Sequence, residues 1–299
     1  MTTTLDKPVK APTFRHVSTA RRIKNNIATG VVWACFFIAL VPLLWVLYTV
    51  IQKGFSMVAD IDWWTKSQNN VLPDQYAGGV YHAIYGTIVQ SAIAAVIAVP
   101  LGIMAAVYLV EYGRGWLAKV TTFMVDILAG VPSIVAALFI FALWIATFGF
   151  PQSAFAVSLA LVLLMLPVVV RSTEEMLKLV PDELREASYA LGVPKWKTIV
   201  RIVVPTAAPG MISGILLSVA RVMGETAPVL VLVGYSKSIN FDVFNNNMAS
   251  LPLLMYQELS NPRAAGQARV WGAALTLILI IALLYLAAAA VNKLLTRNR

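Results

Sequence analysis

Glu186-Ala187-Ser188-Tyr189-Ala190-Leu191-Gly192, followed by nine residues and then Ile202-Val203-Val204-Pro205, is a polar island between two long apolar runs. Pro181 opens a helix where a missing N–H does no harm. Asp182, Glu183 and Glu186 sit at its positive end, and Gly192 falls where a left-handed cap needs glycine. Pro194 starts a second short helix. An otherwise greasy chain that keeps an ordered, charged helix pair in water offers a handle to a soluble partner. Ala187 and Ala190 keep one surface small, and Leu184, Leu191 and Trp196 are apolar groups that a docking groove accepts.

Outward from the island the chain is a polytopic membrane protein. Its 299 residues are 59% hydrophobic and 12% charged, with mean hydropathy +0.77, whereas soluble domains carry about 25% charge. A bilayer core of about 30 Å needs about 20 helical residues. Spans are predicted at 27–51, 82–109, 118–146, 153–171, 206–234 and 269–293. The runs are continuously apolar and lack the alternation of barrel strands, so the fold class is all-α. Seventeen Lys and Arg fall on the side of the termini and the Glu186 loop, against five on the other. The positive-inside rule then places both termini and that loop in the cytoplasm of the cell membrane.

The net charge of +9 is spread over four segments. It is therefore topological rather than a nucleic-acid groove. The first run is too long for a signal-peptide core and no small-x-small cleavage site follows it. Residues 1–26 read as a cytoplasmic N-terminal tail and 27–51 as the first transmembrane helix. Cys35 is the only cysteine, so no intrachain disulfide forms. In the outer segments 53–80 and 235–268, the aromatic residues Trp63, Trp64, Tyr76, Tyr235, Phe241, Phe244 and Tyr256 suit the headgroup boundary. Leu251–Leu259 is a short amphipathic stretch that dips into the membrane or caps a cavity, and His82, at an outer helix end, reads as interfacial.

The stretch from Glu186 to Pro205 resembles the EAA loop of ABC importer permeases, with Ser188 in place of the second alanine and Val204 in place of leucine. Further stretches are similar to the phosphate branch: Gly78 to Thr87, Pro100 to Ile103 leading to Tyr108-Leu109-Val110-Glu111-Tyr112, Ala129 to Val135, and Ala220-Arg221-Val222-Met223-Gly224-Glu225-Thr226-Ala227-Pro228. Within it the PstA family is nearer than its sister PstC. The resemblance implies a type I (MetI-like) permease fold of six transmembrane helices, with the permease domain over 78–295 and the coupling loop over 172–205. It implies that Leu184, Glu186, Ala187, Ser188, Leu191 and Gly192 couple to an ATPase. The implied partners are a PstC-like permease, a PstB-like ATPase dimer that binds ATP and Mg, and a PstS-like external phosphate-binding protein. The chain itself has no GxxxxGK[ST] loop, no nucleophile–base set and no His/Cys cluster. It reads as a transport subunit with no catalytic residue and no metal.

The chemistry suited to phosphate lies in the fifth span. Arg221 and Glu225, four residues apart, are expected to share a helical face and to pair. A charge at the bilayer centre costs about 3 kcal/mol or more, so each should face a cavity or a partner. The planar fork of Arg221 suits a tetrahedral oxyanion. Thr226 offers a hydroxyl where Pro228 loosens the backbone. Glu225 either holds Arg221 in place or accepts a hydrogen bond from the protonated oxygen of phosphate. Asp126 pairs with Arg221 or a partner subunit, or makes a polar contact near the interface. Gly210 and Gly214 form a small-xxx-small face for close helix packing. Alternatives on the same residues are a permease for molybdate or sulfate, or a proton-coupled carrier relaying through Asp126 and Glu225.

Overall fold

In lipid a chain must satisfy its own backbone hydrogen bonds, and the apolar runs accordingly fold as helices. The computed structural model describes residues 18–297, and no strand occurs among them. In order the elements are α1 (Thr19–Val58), α2 (Ile61–Thr65), α3 (Tyr81–Val107), α4 (Trp116–Gly130), α5 (Ser133–Ile140), α6 (Ala154–Lys178), α7 (Asp182–Ala190), α8 (Lys195–Thr198), α9 (Val204–Met223), α10 (Ala227–Leu232), α11 (Leu251–Leu259) and α12 (Ala264–Arg297). Wider π turns extend α3 through Tyr112 and α5 through Thr147, and a third joins α8 to α9 over Ile199–Val203.

Among the described residues five helices are long and apolar enough to cross a membrane, or six if the α4–α5 pair is counted as one span. Two of the expected spans are not straight. The run 118–146 is bent by 107° between α4 and α5, where Pro132 supplies no N–H to continue the ladder. The run 206–234 is interrupted after Met223, at Gly224, before α10 starts with Pro228 in its first turn. At its other end that run is longer than expected, because the helix continues from Lys195.

The chain separates by contacts at Thr49–Val50. The first unit is α1 up to Thr49, which begins at Thr19, inside the stretch expected as a tail; residues 1–17 of that stretch lie outside the described residues. Trp33, Phe36 and Trp45 on it are exposed.

The second unit is built on α6, whose Ala156, Val157, Ala160, Leu161, Met165 and Val169 are buried. Helix α3 packs on α6, and so does α9. In lipid such contacts are held by close van der Waals packing rather than by a hydrophobic drive, so small residues line them. Gly214 of α9 shows this: a Cβ there would stand 2.5 Å from the Ser172 side chain. Substituting it with leucine would push α9 off α6.

At the N-terminal end of α3, the loop segments fold into a layer of their own. Trp63 is 1% exposed and donates from Nε1 to Thr276 Oγ1 at 2.9 Å. The Tyr235 hydroxyl donates to Gln68 Oε1 at 2.6 Å and stands 3.5 Å from His82 Nε2. Trp63 and His82 are thus buried against protein and Tyr235 half-buried among the same loops, so none of these rings stands free at the surface as the headgroup reading expected. Tyr76, Phe241, Phe244 and Tyr256 are exposed. The amphipathic stretch forms α11, capped by Ser250, with Leu251, Leu253 and Leu254 buried. Arg269 reaches Glu258 at 3.3 Å with both side chains buried, and its other nitrogen donates to the carbonyls of Leu72 and Gln75. The exposed turn at Asp242 is held by its own polar contacts: the Asn245 amide, then the Phe244 N–H, keep the Asp242 carboxyl below its ordinary range.

Candidate functional site

Two groups of residues stand apart from the packing, one on the α7–α8 elbow and one at the end of α9. In the elbow, Gly192 has φ +73°. Gly192 N–H donates to Tyr189 O and Val193 N–H to Ser188 O, the pair of bonds that closes a helix on a left-handed residue. The turn presents Leu191, 84% exposed, beside Leu184, Tyr189 and Trp196, also exposed. Glu186, Ala187 and Gly192 share that exposed surface. Ser188 does not: it is 3% exposed, and its Oγ lies 2.8 Å from Thr198 Oγ1. The position read as a docking contact is a clamp between α7 and α8, because a hydroxyl facing a second buried hydroxyl satisfies both.

The elbow is fastened to the membrane helices by Arg185. Its guanidinium donates to Glu111 Oε1 at 3.0 and 3.2 Å, to Val180 O at 2.6 Å, to Leu177 O at 3.0 Å and to Asp182 Oδ1 at 3.1 Å. Glu111 is 5% exposed at the side chain and Arg185 13%, so this pair is desolvated. Lys195 of α8 donates to the Glu111 carbonyl and lies 4.7 Å from the Tyr112 ring centroid. The ends of α3 and α6 therefore grip both elbow helices. The sequence reading missed Glu111, Arg185 and Lys195 as anchors. Their signal was available: an acid closing an apolar run, with basic residues in the one ordered polar loop.

Arg221 stands on the last turn of α9. It lines a cleft of about 320 Å³ with Ala129 and Val131 at the α4–α5 bend and with Arg171, Ser172 and Glu175 of α6. At about 30 Å³ per water the cleft has room for a hydrated tetrahedral oxyanion. The two arginines differ in how they are engaged. Arg171 is tied to Asp126 and, at 2.8 Å, to Glu174, which Lys178 also meets at 2.7 Å. Arg221 has no side-chain hydrogen bond or ion pair among the described residues. Of the readings open for Asp126, the pair with Arg221 is not made; its contact is with Arg171, within the chain.

Glu225 does not share a face with Arg221. The helix ends at Met223, the Gly224 and Glu225 N–H groups turn back to Arg221 O and Val222 O, and the four-residue spacing no longer corresponds to a helical turn. Glu225 instead lines a separate void of about 10 Å³ with Thr87, Gln90 and Ser91 of α3 and Ser250. The expected Arg221–Glu225 pair is absent. The void is also too small for phosphate, so in this structure Glu225 and Arg221 do not line one oxyanion cleft. Thr226 lies between α9 and α10, half-buried, and its hydroxyl caps nothing. Among the described residues no group of three His, Cys, Asp or Glu is placed to hold a metal.

Residues 98–298 match the family described as binding-protein-dependent transport system inner membrane component. The phosphate transport system permease protein PstA of Mycobacterium leprae (strain TN) is 70% identical, over 99% of this chain and 97% of that protein. Among solved structures, a permease chain of the inward-facing MetNI methionine ABC transporter has a TM-score of 0.57 at 19% identity, covering 73% of this chain and 94% of its own. A chain of a bacterial alginate ABC transporter, solved with an alginate pentasaccharide-bound periplasmic protein, has a TM-score of 0.61 at 12% identity, covering 90% and 95%. At those identities the two structures speak to the fold alone, and it is the MetI-like fold expected from the Glu186 loop. The chain belongs to the binding-protein-dependent transport system inner membrane components and, within them, to the PstA family of permeases.

Proposed function

We propose that this chain is a permease subunit of an ATP-driven importer of inorganic phosphate, and that Arg221 is its contact with the ion. The carrying observation is the unpaired guanidinium of Arg221 beside a cleft of oxyanion size, next to an Arg171 already neutralised by Asp126 and Glu174. An uncompensated charge at membrane depth is costly and is kept where a ligand or a partner meets it. The relatives named for phosphate transport supply the cargo. A proton relay through Asp126 and Glu225 has no support in the geometry, since one is paired to Arg171 and the other lines a different void.

The Glu186 elbow faces the cytoplasm in this reading, where the ATPase dimer that binds ATP and Mg would seat it in a groove through Leu184, Tyr189, Leu191 and Trp196. A homologous permease would close the other wall of the Arg221 cleft. An external phosphate-binding protein would deliver the ion at the end formed by α11 and the Trp63 layer. The test is reconstitution with the ATPase, sister permease and binding protein, measuring ATP-dependent uptake of labelled phosphate against sulfate. Arg221→Ala should lower phosphate uptake at least tenfold, the scale of one lost charge-assisted contact, while ATPase co-purification is retained. Uptake by Arg221→Ala equal to wild type would remove Arg221 from the pathway.

A further inference from the structure

The small void at the end of α9 holds two polar groups with nothing to bond to. Gln90 is 2% exposed, and its Nε2 has no hydrogen-bond partner. Glu225, half-buried at the break between α9 and α10, has no side-chain partner among the described residues. Of the other polar groups on the void, Thr87 Oγ1 donates to Ala83 O and accepts from Leu251 N–H, each at 2.8 Å, and Ser250 Oγ caps α11, while the Ser91 hydroxyl also lines it. Gln90, with its unpartnered Nε2 donor, and Glu225, with its carboxylate acceptor, thus line one cavity of about 10 Å³. A buried donor with no acceptor costs about 1–3 kcal/mol. A cavity of that measure is at the lower limit for one water, and waters in such places bridge groups that would otherwise go unmet.

We propose that Gln90 and Glu225 are joined through one buried water into a latch that fastens the α9–α10 break to α3 and so positions Arg221. Gln90 Nε2–H donates to the water oxygen, and the water donates to the Glu225 carboxylate. The last turn of α9, which carries Arg221, is then pinned at its open end, where the regular ladder stops at Met223 and only the Gly224 and Glu225 N–H groups turn back onto it. Glu225 acts here as a positioning residue for Arg221, a role that accounts for an acid near an anion path without repelling the anion. Thr87 ties the start of α11 to the same turn of α3, so the latch also links the Arg221 cleft to the loop layer.

This inference rests on Arg221 being the phosphate contact, and the experiment separates the two. In vesicles holding the complete transporter, Gln90→Glu sets two carboxylates on one void. The half-saturating phosphate concentration should rise at least tenfold, with ATPase co-purification unchanged. The exchange variant Gln90→Glu/Glu225→Gln restores one amide and one carboxylate and should return to within threefold of wild type. A merely structural role for either residue would change melting temperature without that reciprocal rescue. If Gln90→Glu does not assemble, Gln90→Met and Gln90→Met/Glu225→Met make the same comparison. A latch predicts that the double variant is impaired no more than the single, whereas independent roles multiply. An exchange variant as poor as Gln90→Glu alone, or multiplying methionine variants, would overturn the latch. Arg221→Ala vesicles that import phosphate as well as wild type would instead sink the reading on which it depends.

Discussion

Removing Arg185 should unfasten the elbow without touching its exposed surface. Arg185→Ala leaves Glu111 as a carboxylate only 5% exposed with its charge partner gone, and strips donors from the carbonyls of Val180 and Leu177. Breaking a buried pair from one side costs about 3–5 kcal/mol, and at 1.4 kcal/mol per decade the local opening of α7 should rise by roughly two to four orders of magnitude. The bond of Lys195 to the Glu111 carbonyl survives, which places the effect nearer the lower bound. Hydrogen exchange over residues 182–190 reads the opening directly: α7 amides in Arg185→Ala should lose at least a hundredfold of protection, while amides in α6 keep theirs. Because the elbow is also the proposed site of ATPase engagement, phosphate uptake should fall with ATP hydrolysis partly retained, the signature of a slipping transmission. Removing both charges with Arg185→Met/Glu111→Leu should recover much of the protection, since an apolar pair strands no charge. Unchanged α7 protection in Arg185→Ala would refute the anchoring argument, whatever happens to uptake.

Two further outcomes follow from other sites. Leu191→Asp changes an apolar side chain 84% exposed, so the isolated subunit should keep its stability within about 0.5 kcal/mol of wild type while ATPase co-purification falls; retained binding would move the docking surface elsewhere on the elbow. Arg269→Met strands the buried Glu258 and removes two bonds to the 66–80 loop. It should destabilise the Trp63 layer by about 3–5 kcal/mol, read as a drop in thermal midpoint with a loss of near-UV signal from Trp63.

The all-helical membrane fold and the elbow were legible because each has a strong local cause. Long apolar runs admit one structure in lipid, and the left-handed turn between α7 and α8 admits few residues other than the glycine found at Gly192. The bends were legible only in part. Pro132 and Gly224 stand where the helices stop, yet hydropathy averages over such residues and returns straight spans. The Arg221–Glu225 pair was misread for that reason: a spacing of four implies a shared face only while the ladder is continuous, and Gly224 ends it. The Asp126–Arg171 and Glu111–Arg185 pairs join residues 45 and 74 positions apart, and no periodicity carries information across such a distance. Trp63 and Tyr235 were placed at the headgroups because composition cannot tell an aromatic ring that meets lipid from one folded under a loop.

The bend between α4 and α5 bears on how the protein comes to exist in a membrane at all. A helix end leaves its last carbonyls without intrahelical partners, and here Ala129 and Gly130, at the end of α4, lie exposed at the surface of the single chain. Hydrocarbon cannot hydrogen-bond them, and bare backbone at membrane depth is tolerated only against protein or in a wet cavity. A freshly inserted copy standing alone therefore carries a defect that lipid does not heal. Its lifetime should track the supply of whatever covers that bend, so the abundance of this subunit becomes a measure of completed assembly rather than of its own synthesis.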